Sequence, residues 1–317
     1  VQVVVMDSML RATALLLSLA GCAIAPQGEF AQAPTVAYHD PVSTGSAAAR
    51  AGQRLEAMSP GDRDRVQAAI AAAGRDERPY VVDVVAAGHS ADEVASFAAL
   101  IRGKRPHWLQ THLDLLDPTG SGWVAYRSAP VQQPDDTSCG PMTVMMARAM
   151  ADPFYALYLT TGDSTDRSNA GPDEFQARLT AEEHRIHAAT NRFWPERLGS
   201  TPFGISDELN RYAGALGTRY QARLADRSTL ADAAEAAGDG HPVPVLIGDW
   251  IPRHYILLIG RAGDDLTFYE PGYATVGHLS AQAFTHGNIN VIGFHHIYAV
   301  VGTHPSSAAP SQTPTTD

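Results

Sequence analysis

Cys139, His254, Gln133 and Glu270 are the residues of this chain whose types and contexts could carry covalent chemistry. Cys139 lies in Gln133-Pro134-Asp135-Asp136-Thr137-Ser138-Cys139-Gly140-Pro141, and a helical pattern over residues 141–150 begins directly after it. A thiol at a helix N-terminus sits beside unpaired backbone N–H groups and the positive end of the helix dipole. Both favour the thiolate, the form that attacks a carbonyl carbon. Pro141 suits a first helical turn, where no N–H is needed. Gly140 is expected to leave room for a substrate backbone. Gln133, six residues upstream of the cysteine, can fold back and donate from its amide. Together with the Cys139 N–H it would stabilise the oxyanion of a tetrahedral intermediate. Most lone cysteines are small buried hydrophobes. The polar, acidic, turn-like approach to Cys139 does not read as core and favours chemistry.

A nucleophile of this kind needs a base. His254 opens the apolar run Tyr255-Ile256-Leu257-Leu258-Ile259, which places it at the mouth of a buried strand. A turn over 261–265 leads into a second strand over 266–270. If that hairpin is symmetric about Ala262, His254 and Glu270 face each other. Directly opposed residues hold their Cβ atoms about 5 Å apart, and a carboxylate so placed fixes the imidazole tautomer and stabilises the imidazolium.

Gln133…Cys139-Gly140-Pro141, then His254-Tyr255, then Glu270-Pro271 resemble the papain-like cysteine peptidases. Within them the pattern is most similar to the bacteriocin-processing (double-glycine leader) peptidases. Those carry a Gln six residues before a Cys-Gly, a later His-Tyr opening an apolar strand, and an Asp-Pro closing the next one. The resemblance covers roughly residues 130–275. It implies an α+β papain-like fold, a nucleophile at a helix N-terminus packed on an antiparallel sheet, and hydrolysis of peptide or isopeptide bonds through a thioester. The alternatives are a cysteine acyltransferase on the same site and a non-catalytic binding lipoprotein that keeps the fold. The third position departs from the pattern: Glu270 stands where these peptidases have Asp, and reaches one carbon further.

Other candidates carry less. His184 and His187 stand at i, i+3 on a helical pattern with Glu182 and Glu183; the expectation is a solvated amphipathic helix rather than a metal site. His278, His286, His295 and His296 show no metal-ligand spacing. Asp249 and Trp250 precede His254 and could line its cleft, with Trp250 shielding the ion pair from water. Asp135 and Asp136 either select basic substrates or cap the turn. There is no glycine-rich phosphate loop before a helix and no G-x-S-x-G elbow. The proposed chemistry calls for no metal and no organic cofactor.

These residues have to be positioned by elements that the sequence only partly spells out. Residues 48–120 read as mainly helical. Ser59-Pro60 starts one helix, with Val66, Ile70 and Ala73 on one stripe, and Ser90-Ala91-Asp92-Glu93 is a capping-box pattern before Val94, Phe97, Leu100 and Ile101. Residues 80–85 read as a short strand within this part, which would serve as a lid or prodomain-like extension. Residues 121–303 read as helices over 141–150, 173–192 and 206–216, followed by strands over 243–247, 254–259, 266–270 and 297–301. Helices first and an antiparallel sheet afterwards is an α+β arrangement.

The chain has 317 residues, 44% hydrophobic and 18% charged, with a formal net charge of -11. That balance can bury a core. Its acidic character argues against nucleic acid and against anionic lipid as non-specific partners. Two cysteines, Cys22 and Cys139, exclude a cysteine metal cluster. Leu19-Ala20-Gly21-Cys22 ends a short apolar run that follows Arg11. It resembles the lipobox of bacterial lipoproteins, in which the cysteine is lipidated. On this reading residues 1–22 are an export signal, 23–47 a tether and 304–317 a low-complexity tail. The protein is then an exported envelope lipoprotein, touching the membrane only through its anchor and taking a peptide or protein substrate. Plain secretion, with cleavage after Ala25 or Ala33, is the alternative, and an internal apolar helix a further one.

Overall fold

The computed structural model describes residues 46–162, 171–192 and 195–303. Cys22, the signal, most of the tether and the tail lie outside the described residues.

The chain enters through helices Ala47–Ala57, Pro60–Ala72, Arg78–Ala87, Ala91–Ile101 and Pro106–Leu113. Their starts follow local chemistry. The side chains of Ser46, Ser59 and Ser90 accept first-turn N–H groups, and Ser90 with Glu93 completes a capping box. Residues 80–85, expected as a strand, belong to helix Arg78–Ala87. Val81, Val84 and Val85 stand at i, i+3 and i+4, and all three are fully buried. Burial of one helical stripe overrides the strand preference of the valines, and Gly88, at φ 95°, ends the helix in the left-handed region. These helices build a core of their own around Val66, Val81, Phe97, Ile101 and Leu109.

Buried polar contacts join that layer to the rest of the molecule. Arg54 donates to the carbonyls of Ala86 and Gly214, and Arg50 to that of Ala215. His89 Nε2 lies 2.9 Å from Asp152 Oδ1, with both side chains almost wholly out of solvent. Asp152 also caps helix Pro153–Thr161 by accepting from Phe154 and Tyr155 N–H.

Among the described residues the main sheet has seven strands, β1 (Gly122–Trp123), β4 (Tyr220–Leu224), β5 (Val243–Gly248), β6 (Pro252–Ala262), β7 (Asp265–Glu270), β8 (Thr275–Ser280) and β9 (His296–Thr303). They run in the order β1-β8-β7-β6-β5-β9-β4, each pair antiparallel. β2 (Ala125–Tyr126) and β3 (Ala129–Pro130) form a separate hairpin. The period-2 alternation divides the sheet between two layers. Tyr255, Leu257, Ile259 and Tyr269 pack with Met142 and Met146 of helix Cys139–Ala151. Ile256, Leu258, Phe268 and Val245 pack with Leu230 and Ala233 of helix Arg227–Gly238. The α+β arrangement is as expected. β4 and β8 have no expected counterpart, because edge-side strands with exposed positions carry no apolar run.

Helix Cys139–Ala151 is buried on every side from Cys139 to Ala149. A helix apolar all round is a core helix. Burying a Met or Val side chain contributes about 1.5–3 kcal/mol, so Met142, Val144, Met145 and Met146, all fully buried, hold the N-terminus of this helix rigidly against β6.

Candidate functional site

Cys139 is the first residue of its helix and is buried. The turn that delivers it is built by Asp135 and Ser138. Asp135 Oδ1 accepts from Thr137 N and Oγ1, each at 2.8 Å. The wholly buried Ser138 hydroxyl donates to Asp135 O at 3.0 Å and accepts from Asp135 N at 3.2 Å. Asp135 therefore caps the turn. Because Ser138 is turned back on Asp135, its side chain does not cap the helix. The N–H groups of Cys139 and Gly140 belong to the first turn, which has no intrahelical acceptors.

Gly140 does not open toward substrate as expected. A Cβ there would lie 3.0 Å from Ile205 Cδ1, 3.3 Å from Ser200 Cβ and 3.3 Å from Tyr255 Cδ2. The missing side chain lets the helix approach β6 and the 200–205 segment. Tyr255, whose hydroxyl donates to Ser200 O at 3.2 Å, fixes that approach from the strand side.

His254 lies near the start of β6, and its Nε2 hydrogen-bonds Glu270 Oε1. The thiol of Cys139 is the other side chain near enough to the ring to act on its charge. With Nε2 on the carboxylate, Nδ1 is the nitrogen that remains for sulfur. Burial lowers the imidazole pKa, but the influence of Cys139 and Glu270 outweighs it and raises the group to about 10. Burial likewise opposes the Glu270 carboxylate, yet the His254 bond and the N–H groups of Gly272 and Tyr273 hold its pKa below the usual value. Those two N–H donors, at 3.0 and 2.6 Å, come from the turn that follows β7. The carboxylate is thus oriented by its own backbone.

The hairpin register differs from the expected one. Ala262 pairs with Asp265 across a two-residue Gly263-Asp264 turn, and an irregularity between Leu258 and Gly260 leaves Leu257 opposite Tyr269 and Leu258 opposite Phe268. Continued outward, this register sets Glu270 across from Ile256, so His254 meets it diagonally on the same face. Diagonal neighbours are about 7–8 Å apart, within reach of long side chains. The extra carbon of Glu over Asp spans that diagonal.

Gln133 is held beside both turns. Its N–H donates to Pro271 O at 2.9 Å and its Nε2 to Asp135 O at 2.7 Å. The same amide nitrogen carries a second hydrogen. Gln132 Nε2 donates to Gly272 O at 2.6 Å, tying this segment to the Glu270 turn.

Trp250 does not shield the ion pair: it is 95% exposed. Phe294 takes that place, stacking on His254 with ring centroids 5.6 Å apart and planes at 19°. Phe294 carries no sequence signal, since it reaches the site from a distant loop; Gln132 adjoins Gln133, but nothing local marks its tie to Gly272. Asp249 anchors the strand entry instead of lining a cleft, through Arg253 and His295, each at 2.8 Å.

Helix Pro172–Thr190 is not the solvated helix expected around His184. Glu182 and Glu183 are buried, at 3% and 0% exposure. Glu182 bonds the Tyr155 hydroxyl and Arg185, inside a network that continues to Tyr212 and Glu208. Tertiary packing against helix Cys139–Ala151 covers a face that charge alone marked as outer.

No family model, curated protein or solved structure matches this chain.

The site's chemistry therefore rests on its geometry. It holds a thiol at a helix N-terminus, an imidazole whose charge that thiol influences, and a carboxylate hydrogen-bonded to the imidazole. The Gln133 amide is held on the turn that precedes the thiol.

Proposed function

We propose that the chain is a papain-like cysteine hydrolase acting on peptide or isopeptide bonds. One observation carries the reading: the imidazole of His254 is hydrogen-bonded by Glu270 and feels the thiol of Cys139 at the start of the buried helix. That is the triad arrangement in which the third group fixes tautomer and orientation.

The steps follow from those positions. With its proton on His254, the Cys139 sulfur attacks the carbonyl carbon, and the C=O electron pair moves to oxygen. The second hydrogen of the Gln133 amide and the Cys139 N–H are the donors for that oxyanion. His254 gives its proton to the leaving amine as the C–N bond breaks, leaving a thioester. The neutral imidazole then takes a proton from water, which attacks the thioester carbon. The acid departs and the sulfur–imidazolium pair returns. Glu270 stays ionised throughout, and Phe294 covers the imidazole face. Export and lipidation at Cys22 belong to the same proposal, which would place the hydrolase on the cell envelope.

The test is labelling of the full chain with a thiol-directed electrophile at mildly acidic pH, comparing wild type, His254→Ala and Cys139→Ala. Fast labelling that needs both residues supports the reading. Labelling at the rate of a free thiol and indifferent to His254 would overturn it.

A further inference from the structure

We propose that Asp135, Glu183 and His184 form a binding site for a divalent transition-metal ion of the zinc type. One ligand atom from each lies within 4.8 Å of the other two. The three come from two elements, the turn before Cys139 and helix Pro172–Thr190. Neighbours on a helix ordinarily diverge, yet the His184 ring folds back to bring Nε2 3.6 Å from Glu183 Oε2. A second histidine approaches the other oxygen, His187 Nδ1 standing 3.7 Å from Glu183 Oε1. Both separations are within ion-pair range but beyond hydrogen-bond reach. They approach the ligand-to-ligand edge of about 3.3 Å that tetrahedral zinc requires when its bonds are about 2.0–2.1 Å long.

The donor set selects the ion. Imidazole with carboxylates suits zinc-type metals, whereas magnesium and calcium take oxygen alone. The site is also graded in rigidity. The side chain of Glu183 is completely buried, while that of His184 is 55% exposed and can swing inward to close the shell. Asp135 Oδ1 is committed to Thr137, which leaves Oδ2 for the metal. The backbone carbonyl of Asp135 also receives the Gln133 amide and the Ser138 hydroxyl. A bound ion would therefore clamp the turn carrying Gln133 and Cys139 to the buried helix. This inference does not depend on Cys139 being a nucleophile.

A thiol would itself take zinc, so the test uses the full chain carrying Cys22→Ser and Cys139→Ser. Zn2+ binding is followed by equilibrium dialysis and by the shift in thermal unfolding, since a ligand of the native state raises Tm. The expected result is one equivalent bound and a raised Tm. His184→Ala, an exposed change that spares the fold, should weaken binding about tenfold or more and remove the Tm shift, while His295→Ala should behave as its parent. The proposal is overturned if the His184→Ala protein binds as well as its parent, if His295→Ala abolishes binding, or if the parent takes up no Zn2+ at ~100 µM.

Discussion

His254 and Glu270 meet diagonally across β6 and β7, on one face of the sheet but not directly opposite each other. The length of the glutamate makes the contact possible. Glu270→Asp keeps the charge and removes the reach. It should lower the alkylation rate of Cys139 at mildly acidic pH by about 10–100-fold, the scale on which a misplacement near 1 Å acts. Glu270→Gln keeps the reach and removes the charge, and should also slow the reaction. An aspartate variant that labels like wild type would show that the diagonal contact is unimportant.

The pH dependence of labelling follows from His254. Its pKa is raised to about 10 by Cys139 and Glu270 against the effect of burial. The imidazolium that the proposed mechanism pairs with sulfur is present below that pH and lost above it. The ratio of wild-type to His254→Ala rates should be largest in the acid range and fall toward one as pH passes about 10. A ratio that does not vary with pH contradicts an ion pair.

Gly140→Ala tests the contact between the Cys139 helix and its surroundings. Alanine favours a helix over glycine by about 1 kcal/mol, but the added methyl meets Ile205, Ser200 and Tyr255 in a closed space. Overpacking of this kind costs about 1–3 kcal/mol. Chemical denaturation should show a net loss of stability. An unchanged or raised midpoint would mean that Gly140 faces open space.

His89 predicts a second pH effect, on stability. Burial disfavours its charged form, but Asp152 and Glu93 overcome this and raise its pKa to about 9. A group raised on folding stabilises fully below its unfolded value, about 6.5, and loses that contribution as pH rises through about 9. The gap is worth roughly 3 kcal/mol at most. Urea midpoints of wild type and His89→Gln should therefore converge between pH 6.5 and 9. At the acid end Asp152 and Glu93 are held low, so the advantage fades again as they take up protons. A constant difference across this range would remove His89 as the cause.

Local chemistry in the sequence announced the helix starts at Ser59 and Ser90, the Cys139 helix and the strands of the His254 hairpin. The pairing of His254 with Glu270 was also visible there. The other features depend on contacts between distant segments. The valines of residues 81–85 looked like strand until a neighbouring layer buried them at helical spacing. The register of β6 against β7 depends on an irregularity near Ile259 that no alternation pattern reveals. Glu182 and Glu183 carried an outward-facing pattern, and only the packing of helix Pro172–Thr190 shows them inside. Phe294 reaches His254 from a loop some forty residues on, and nothing in its own neighbourhood marks it.

The ties that close the site span very long stretches of chain. Gln132 reaches Gly272 across 140 positions, and Tyr269 reaches Val131 across 138. Contacts so distant in sequence form late, after most loop-closure entropy has been paid. Before those ties close, nothing in the sequence holds His254, 115 positions away, beside Cys139. On the proposed mechanism the sulfur would gain its partner only once these ties form, and a partly folded chain would be spared attack on itself or its neighbours.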